Sequence, residues 1–470
     1  MTSRACSNVD ANNVLSVSRS FAEFVCRLRY EDLSEKVRTA AYSAIADTIG
    51  VILAARDEPV SICVQRHARG EQGQSTVLGT DIKTSAAVAA LANGAMAHAH
   101  DYDDSNYSML GHASSPVLPA ILALADELPI SGEEFILGYI LGVEIESKLG
   151  LMATFVHNAR GWHTTSTLGT FGATAACARV MGLDVETTAH ALSIAASLAC
   201  GIRQNFGSMT KPLHAGIAAK NGVTAAKLAQ VGVTASPAAI EGEEGFLDLF
   251  NAPGDVDIEG ILNMLGDPFE VELIVPKQYS CCALAHPALD ILLGEENEIR
   301  PSHQEVKEIR CETSIHALNL MRYHAPRDDL EARFSIEYCL AAAYLDRELG
   351  PAQFAPGQLD RSDIKDLMSR VSVVLHPDQD TKEKFEKLYV KGEAVTHLTI
   401  TYTSGEVFKG EAAVAKGDPS MPLSIDEIRK KFENCVSPHI RSNAGHQIWE
   451  SIFSIPAMDR VVPATIFGKI

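Results

Sequence analysis

The stretch "AGIAAKNGVTAAKLA", residues 215–229, has helical spacing and carries small residues, Ala, Gly and Thr, on nearly every face. "HALSIAASLACG", residues 190–201, has the same texture. Small residues all round permit close helix–helix approach, so both segments predict central helices of a large bundle and not surface helices. The pattern extends outward from them: from about residue 17 to 270 apolar residues recur at three- and four-residue spacing, with Ala and Leu dominant. "LSEKVRTAAYSAIADTIGVILAA" (33–55) opens on a Ser cap with Glu35 just inside. "SGEEFILGYILGVEIESKLG" (131–150) has Ser131 three residues before Glu134, a capping-box spacing, and "DVETTAHALSIAASLACG" (184–201) starts on an Asp cap and stops at Gly201. Each predicts one helix.

The texture changes near Pro276. Short β-branched alternations follow at 306–314, 371–376 and 395–410, and Ser404-Gly405 in the last has the composition of a hairpin turn. Helical stretches such as "DLEARFSIEYCLAAAYLD" (329–346) interleave with them, and after "AKGDPSMPLS" residues 424–457 return to helical pattern. The expected fold is mainly α. It has a disordered lead over 1–16, a helical domain over 17–271, a smaller α+β lid over 272–416, and a return to the helical domain over 417–470.

At 470 residues the chain exceeds what one hydrophobic core usually supports. Sixty acidic against forty basic residues leave a formal charge of −20, which disfavours nucleic acid or an anionic membrane as the main partner. If the substrate is anionic, its cationic site must be local. No apolar run reads as approaching the roughly 20 residues a bilayer requires, so a soluble protein is expected. The N-terminus has no apolar segment of the secretory kind, and Asp10 interrupts a Ser-rich stretch carrying Arg4 and Arg19, so the cytoplasm is favoured over a mitochondrial presequence. Ten cysteines without a CxxC pair fit free thiols, the adjacent Cys281 and Cys282 included.

Four clusters carry the chemistry. "HAHDYDDSNYSMLGHASS" (98–115) crowds three histidines and three aspartates behind an apolar, small-residue run. As a metal site it lacks the HExxH and DxDxDG spacings, and Asp103 and Asp104 cannot both share a helical face with His98 and Asp101, so no metal is assigned. "DYDD" matches the acid motif of class II terpene cyclases, but 6% aromatic residues and two Trp do not line a hydrocarbon cavity. In "NARGWHTTSTLGTFGATAACARVMGLD" (158–184), His163 sits at the start of a Gly- and Thr-rich helix whose free N–H groups favour an anion. In "CGIRQNFGSMTKPLHAGIAAKNG" (200–222), Lys211 precedes a proline suited to a first helical turn; no pyridoxal-phosphate signature accompanies it, and with Arg203 it is suited to hold substrate carboxylates. "PKQYSCCALAHPALD" (276–290) puts His286 at the domain boundary, where clefts form.

The order and spacing of these segments, with "LEARFSIEYCLA" (330–341), resemble the MmgE/PrpD family over nearly the whole chain. The resemblance implies a helical domain built from both chain ends, an α+β lid, a homodimer, and a cleft without metal or organic cofactor. It also implies lyase chemistry on a small di- or tricarboxylate, either dehydration of a 2-alkylcitrate or decarboxylation of a cis-aconitate type; epimerisation of a dicarboxylate such as iminodisuccinate is the family's alternative. A helical dimer without catalytic activity is a third reading, which the intact His and Lys positions oppose. Carried over one at a time, the family's site positions fall on Asp101 opening the "DxDD" run, Ser105 after it, His112 before "AS", the "GWH" His163, the "TKP" Lys211, His286 after the cysteines, and Tyr323 of the lid. Ser105 stands where Thr is usual, the stretch up to His112 is one residue longer than in the mammalian decarboxylases, and "GHASS" replaces "GHPS". On this reading Lys211 and Arg203 hold carboxylates, His112, His163 and His286 move protons, and Asp101 orients an imidazole.

Overall fold

In the computed structural model the described residues are 16–251, 256–294, 301–390, 392–439 and 442–467; the lead expected over 1–16 lies outside them except for Ser16, which caps the first helix. The fold is mainly α. The larger core begins with the helices α1 (Val17–Arg27), α2 (Glu35–Ala54), α3 (Pro59–Ala68), α4 (Ala86–His98), α5 (Ser114–Glu127), α6 (Gly132–Ala159), α7 (Thr164–Val180), α8 (Val185–Leu198) and α9 (Thr210–Gln230). The expected caps form. Ser34, Ser131 and Asp184 each accept a hydrogen bond from the backbone N–H three residues on, satisfying one orphan donor of the first turn.

The residues quoted first lie in α9, whose small side chains let it touch α4 and α7 at backbone distance. A Cβ added at Gly94 of α4 meets the Cα of Gly216 at 2.7 Å, and one added at Gly222 meets the Ala173 backbone of α7 at 2.6 Å. Helices this close have no room for another methyl group. Gly216→Ala is therefore expected to cost about 1–3 kcal/mol by overpacking, read as a lowered thermal midpoint; an unchanged midpoint would show that α4 and α9 can separate freely.

One continuous core takes in residues from Val17 to Ile274 and, from the far end of the chain, Phe432, Trp449 and Ile452. The C-terminal helix Ile425–Val436 packs on α2, where Phe432 lies against Gly50. A second core runs from Tyr279 to Tyr402, so the chain changes core between residues 274 and 279. Its sheet has the strand order Val371–Leu375, Val306–Thr313, Thr396–Tyr402, Val407–Ala412, with the first pair parallel and the rest antiparallel. Gly405, at φ +90°, makes the hairpin turn read from the sequence.

Two expectations are corrected. The helix predicted over 329–346 is broken into Asp329–Ala332 and Ile336–Asp346; Ser335 caps the second piece, and the break presents Arg333 to the other core. And α2 is, by length and composition, long and apolar enough to cross a bilayer, contrary to the sequence reading. Here 67% of that stretch is buried inside the fold, and its Asp47 forms a buried ion pair with Lys431, 2.8 Å away. It is a core helix.

Candidate active site

The site gathers where α4, α7 and α9 meet the second core. Helix α4 ends at His98, and the chain turns back beneath that end: the Asp101 N–H donates to the His98 carbonyl (3.2 Å) and Asp101 takes φ +50°. A non-glycine residue in the left-handed region costs about 1–2 kcal/mol, less for Asp than for most. The turn aims the Asp101 carboxylate inward, where it is 3% exposed.

Two ammonium groups share that carboxylate. Lys277 Nζ lies 2.5 Å from Oδ1 and Lys211 Nζ 2.9 Å from Oδ2. Lys277 comes from 176 residues away, and the connection to the helical core sets its position. Buried Lys148 holds Glu270 at 2.9 Å, Asn106 donates to the same carboxylate, and Ser105–Asn106 pairs antiparallel with Ile274–Val275 just before Lys277. Lys277 also donates to the carbonyls of Asp101 (3.0 Å) and Cys281 (3.1 Å). Lys211, in the first turn of α9, has no such carbonyls. Its contact with Asp101 falls short of hydrogen-bond geometry, and its ammonium sits 5.1 Å over Phe334 and 5.4 Å over Phe206. Electrostatics follow that difference. Burial would raise the Asp101 carboxyl, but the two lysines outweigh it and hold it well below the usual carboxylate range. Burial lowers Lys211 despite Asp101. Lys277 is burdened by burial too, yet Asp101 and Asp103 carry it above the ordinary lysine value.

The imidazoles form a second layer of the cluster. His112 Nε2 is 3.6 Å from Asp101 Oδ1 and its Nδ1 3.3 Å from Asp103 Oδ2, so both N–H groups of an imidazolium would face a carboxylate. His98 donates through Nδ1 to Asp103 at 2.9 Å, with its ring 4.3 Å from that of His112. Burial pushes His98 down to about 3, and His163 well below the usual range. His163 caps α7, and its Nδ1 lies 2.9 Å from Nδ1 of His214, so one ring donates and the other accepts. Burial, then Lys211, lowers His214 to about 4. Around neutral pH these three rings are neutral.

His98, Asp101, Lys211 and Arg333 line a cavity of about 10 Å³ together with Phe334 and Gly207. Arg333 Nη1 donates to the carbonyls of His100 (2.7 Å) and Ser280 (2.9 Å), leaving its buried Nε without a hydrogen-bond partner. Two cations thus line the cavity: Lys211, whose carboxylate partner is Asp101 alone, and Arg333, whose Nε has no hydrogen-bond partner.

The remaining expected residues stand farther back. Ser105 holds the short strand pair described above and does not line the cavity. His286, at the first position of helix His286–Leu293, lies 3.3 Å from the Cys281 carbonyl, the one that Lys277 also uses; burial, then Lys277, lowers it to about 3. The Tyr323 hydroxyl donates to the Phe206 carbonyl at 2.7 Å, latching the second core over the turn that precedes Lys211. Arg203 lies apart from Lys211, in a separate outer cavity, where it donates to Asn158. Lys277, His214 and Arg333 stood in the quoted motifs without being singled out, and Asp101 is chiefly an anchor for two ammonium groups; Asp103 takes the imidazole-orienting place.

His98, Asp101, Asp103 and His112 can bring ligand atoms within 4.8 Å of one another, the spacing of a metal site. The donor set does not suit a cation, because both Asp101 oxygens already face fixed positive charge and a divalent ion would sit against two ammonium groups. Every described cysteine is free, Cys281 and Cys282 included.

Residues 19–259 match the MmgE/PrpD N-terminal domain and residues 279–452 the MmgE/PrpD C-terminal domain. Lys277 falls between the two. The chain is 28% identical over 454 residues to the cis-aconitate decarboxylase of Homo sapiens, covering 94% of this chain and 90% of that one. It is 27% identical over 432 residues to the cis-aconitate decarboxylase of Mus musculus (89% and 86% covered), and 27% identical over 391 residues to that of Aspergillus terreus (78% and 79%). With both of its domains present in order and the cluster of acid, lysine and histidine groups built between them, the chain belongs to the MmgE/PrpD family.

Proposed function

We propose that this MmgE/PrpD-type lyase decarboxylates cis-aconitate or a closely similar unsaturated tricarboxylate without a metal or organic cofactor. The observation that carries the reading is the small cavity that Lys211 and Arg333 line beside the His98 imidazole, together with the likeness to cis-aconitate decarboxylases along most of the chain. Substrate carboxylates take the N–H groups of Lys211 and Arg333. One C–C bond to a carboxylate breaks, carbon dioxide leaves, and the electron pair spreads through the alkene onto a carboxylate held by the fixed cations. A proton from the imidazole cluster, delivered by His112, then closes the carbon valence, so tricarboxylate plus proton gives unsaturated dicarboxylate plus carbon dioxide. His163, neutral and steered by His214, holds the substrate by a hydrogen bond. A cavity of about 10 Å³ has room for about one water. Substrate is therefore admitted when the Tyr323–Phe206 contact parts.

The test is NMR in D₂O with cis-aconitate, 2-methylcitrate, a longer 2-alkylcitrate and iminodisuccinate. Release of carbon dioxide with one deuterium in the unsaturated product supports the reading. Loss of water from a citrate at constant carbon count would make the enzyme a dehydratase, and C–H exchange with inversion would make it an epimerase. The "ASLACGIRQNFGSMTKPLHAG" stretch, which resembles the epimerase branch, keeps that last arm in the test.

Turnover is expected to survive exhaustive chelation, since protons and fixed cations do the chemistry; loss on EDTA treatment with recovery on Zn²⁺ or Mg²⁺ would return the His98–His112 cluster to the status of a metal site. The family resemblance also supports a homodimer, which light scattering at micromolar concentration checks against a monodisperse active monomer.

A further inference from the structure

Outside the Tyr323–Phe206 latch lies a larger cavity of about 410 Å³ between the two cores. Arg160, at the end of α6, Arg203 and Arg322 all line it, and no acidic residue does. In a chain with sixty acidic and forty basic residues, three guanidinium groups on one cavity are a local reversal of the overall charge. Their hydrogen bonds all go to neutral acceptors. Arg160 donates to the Asn251 carbonyl, Arg203 Nη1 to the Asn158 carbonyl (2.7 Å) and side-chain oxygen (2.8 Å), and Arg322 to the Gln204 and Phe206 carbonyls, each at 3.4 Å. Among the described residues none of the three is paired with a carboxylate, and the buried Nε of Arg203 has no partner. Burial makes the Arg203 guanidinium hold its proton less firmly than usual, with Cys282 opposing the effect and Arg322 adding to it. The same Phe206 lines this cavity and packs against His163 and against Lys211, which lines the inner one.

We propose that the outer cavity is a second anion site, which binds a small polycarboxylate through Arg160, Arg203 and Arg322 and holds it against the Tyr323–Phe206 latch before it passes inward. This rests on the reading that the enzyme acts on a polycarboxylate. Three planar guanidinium forks suit carboxylates, each of which can take two parallel N–H groups. Arg203 is thereby a docking residue for the incoming anion and takes no part in the bond changes.

The probe is propane-1,2,3-tricarboxylate, which has neither hydroxyl nor alkene and cannot be dehydrated or decarboxylated. Calorimetry is run on Lys211→Ala, which weakens the inner site, and on the same protein carrying Arg160→Gln with Arg322→Gln. Both arginines are exposed, so their replacement spares the core. The expected result is binding to Lys211→Ala that weakens at least ~10-fold in the triple variant, and that Arg160→Lys with Arg322→Lys restores only in part, because the charge returns and the planar fork does not. Equal affinity with and without the two arginines, no binding to Lys211→Ala, or no rescue by lysine would each overturn the proposal. Turnover is assayed separately on the wild type, so a chain that binds the probe through its arginines yet converts no tricarboxylate would reject the lyase reading and keep the outer site.

Discussion

Lys211→Ala is expected to lower kcat/KM for the tricarboxylate substrate at least ~10²-fold, the lower range for removing a group that stabilises transition-state charge, while the thermal midpoint stays near that of the wild type. The activity loss follows from position: the Lys211 ammonium lines the inner cavity, and Asp101 is its one carboxylate partner, so the rest of its N–H groups can take a substrate oxygen. The spared stability follows from the same facts. Burial already works against the charge on Lys211, and Asp101 keeps Lys277 at 2.5 Å when Lys211 is gone. No carboxylate is orphaned. His112→Ala and His163→Ala are expected to fall by a similar factor for loss of proton delivery and of the substrate hydrogen bond. Steady-state kinetics beside melting curves check all three, and near-normal turnover in all of them would sink the residue assignment. Because burial lowers Lys211, the wild-type rate should decline on the alkaline side at a pH below the ordinary lysine value, as that ammonium loses its proton.

Much of this architecture is written locally, and the site is not. The texture of 215–229 is enough to place α9 at the centre, since only small residues allow Gly216 and Gly94 to meet. Caps at Ser34, Ser131 and Asp184 and the turn at Gly405 need a few neighbouring residues and nothing more. Asp101, His112, His163 and Lys211 could be singled out because each lies in one short segment that the family resemblance matches. Lys277 could not, because what distinguishes it from any other lysine is a carboxylate 176 residues away. Arg203 and Arg333 show the same limit from the other side. Both are arginines in quoted segments, and only the break in the 329–346 helix decides which one reaches the inner cavity. The break sets Arg333 against the His100 and Ser280 carbonyls, across the boundary between the cores.

Asp101→Asn should do what Lys211→Ala does not, and damage the fold along with the activity. The amide is nearly isosteric but uncharged, so Lys211 and Lys277 would be left as two buried ammonium groups around a neutral side chain. Removing one partner of a buried ion pair typically costs about 3–5 kcal/mol, and here the single carboxylate serves two cations. In the wild type the Asp101 carboxyl is held well below the usual carboxylate range, so its contribution is present above the unfolded value of about 4 and is lost as pH falls through the folded value. In the variant the sign reverses. With the carboxylate gone, burial and mutual repulsion depress the lysines below their unfolded value of about 10.4. Between the depressed folded value and the unfolded one the unfolded chain binds more protons, so the stability of the variant rises with pH across that window. Thermal melts of both proteins from about pH 6 to about pH 10 should therefore show a gap of several degrees at neutrality that narrows toward the alkaline end. A variant as stable as the wild type at neutral pH, or a gap that does not change with pH, would mean that Asp101 is not the counter-ion of the two lysines.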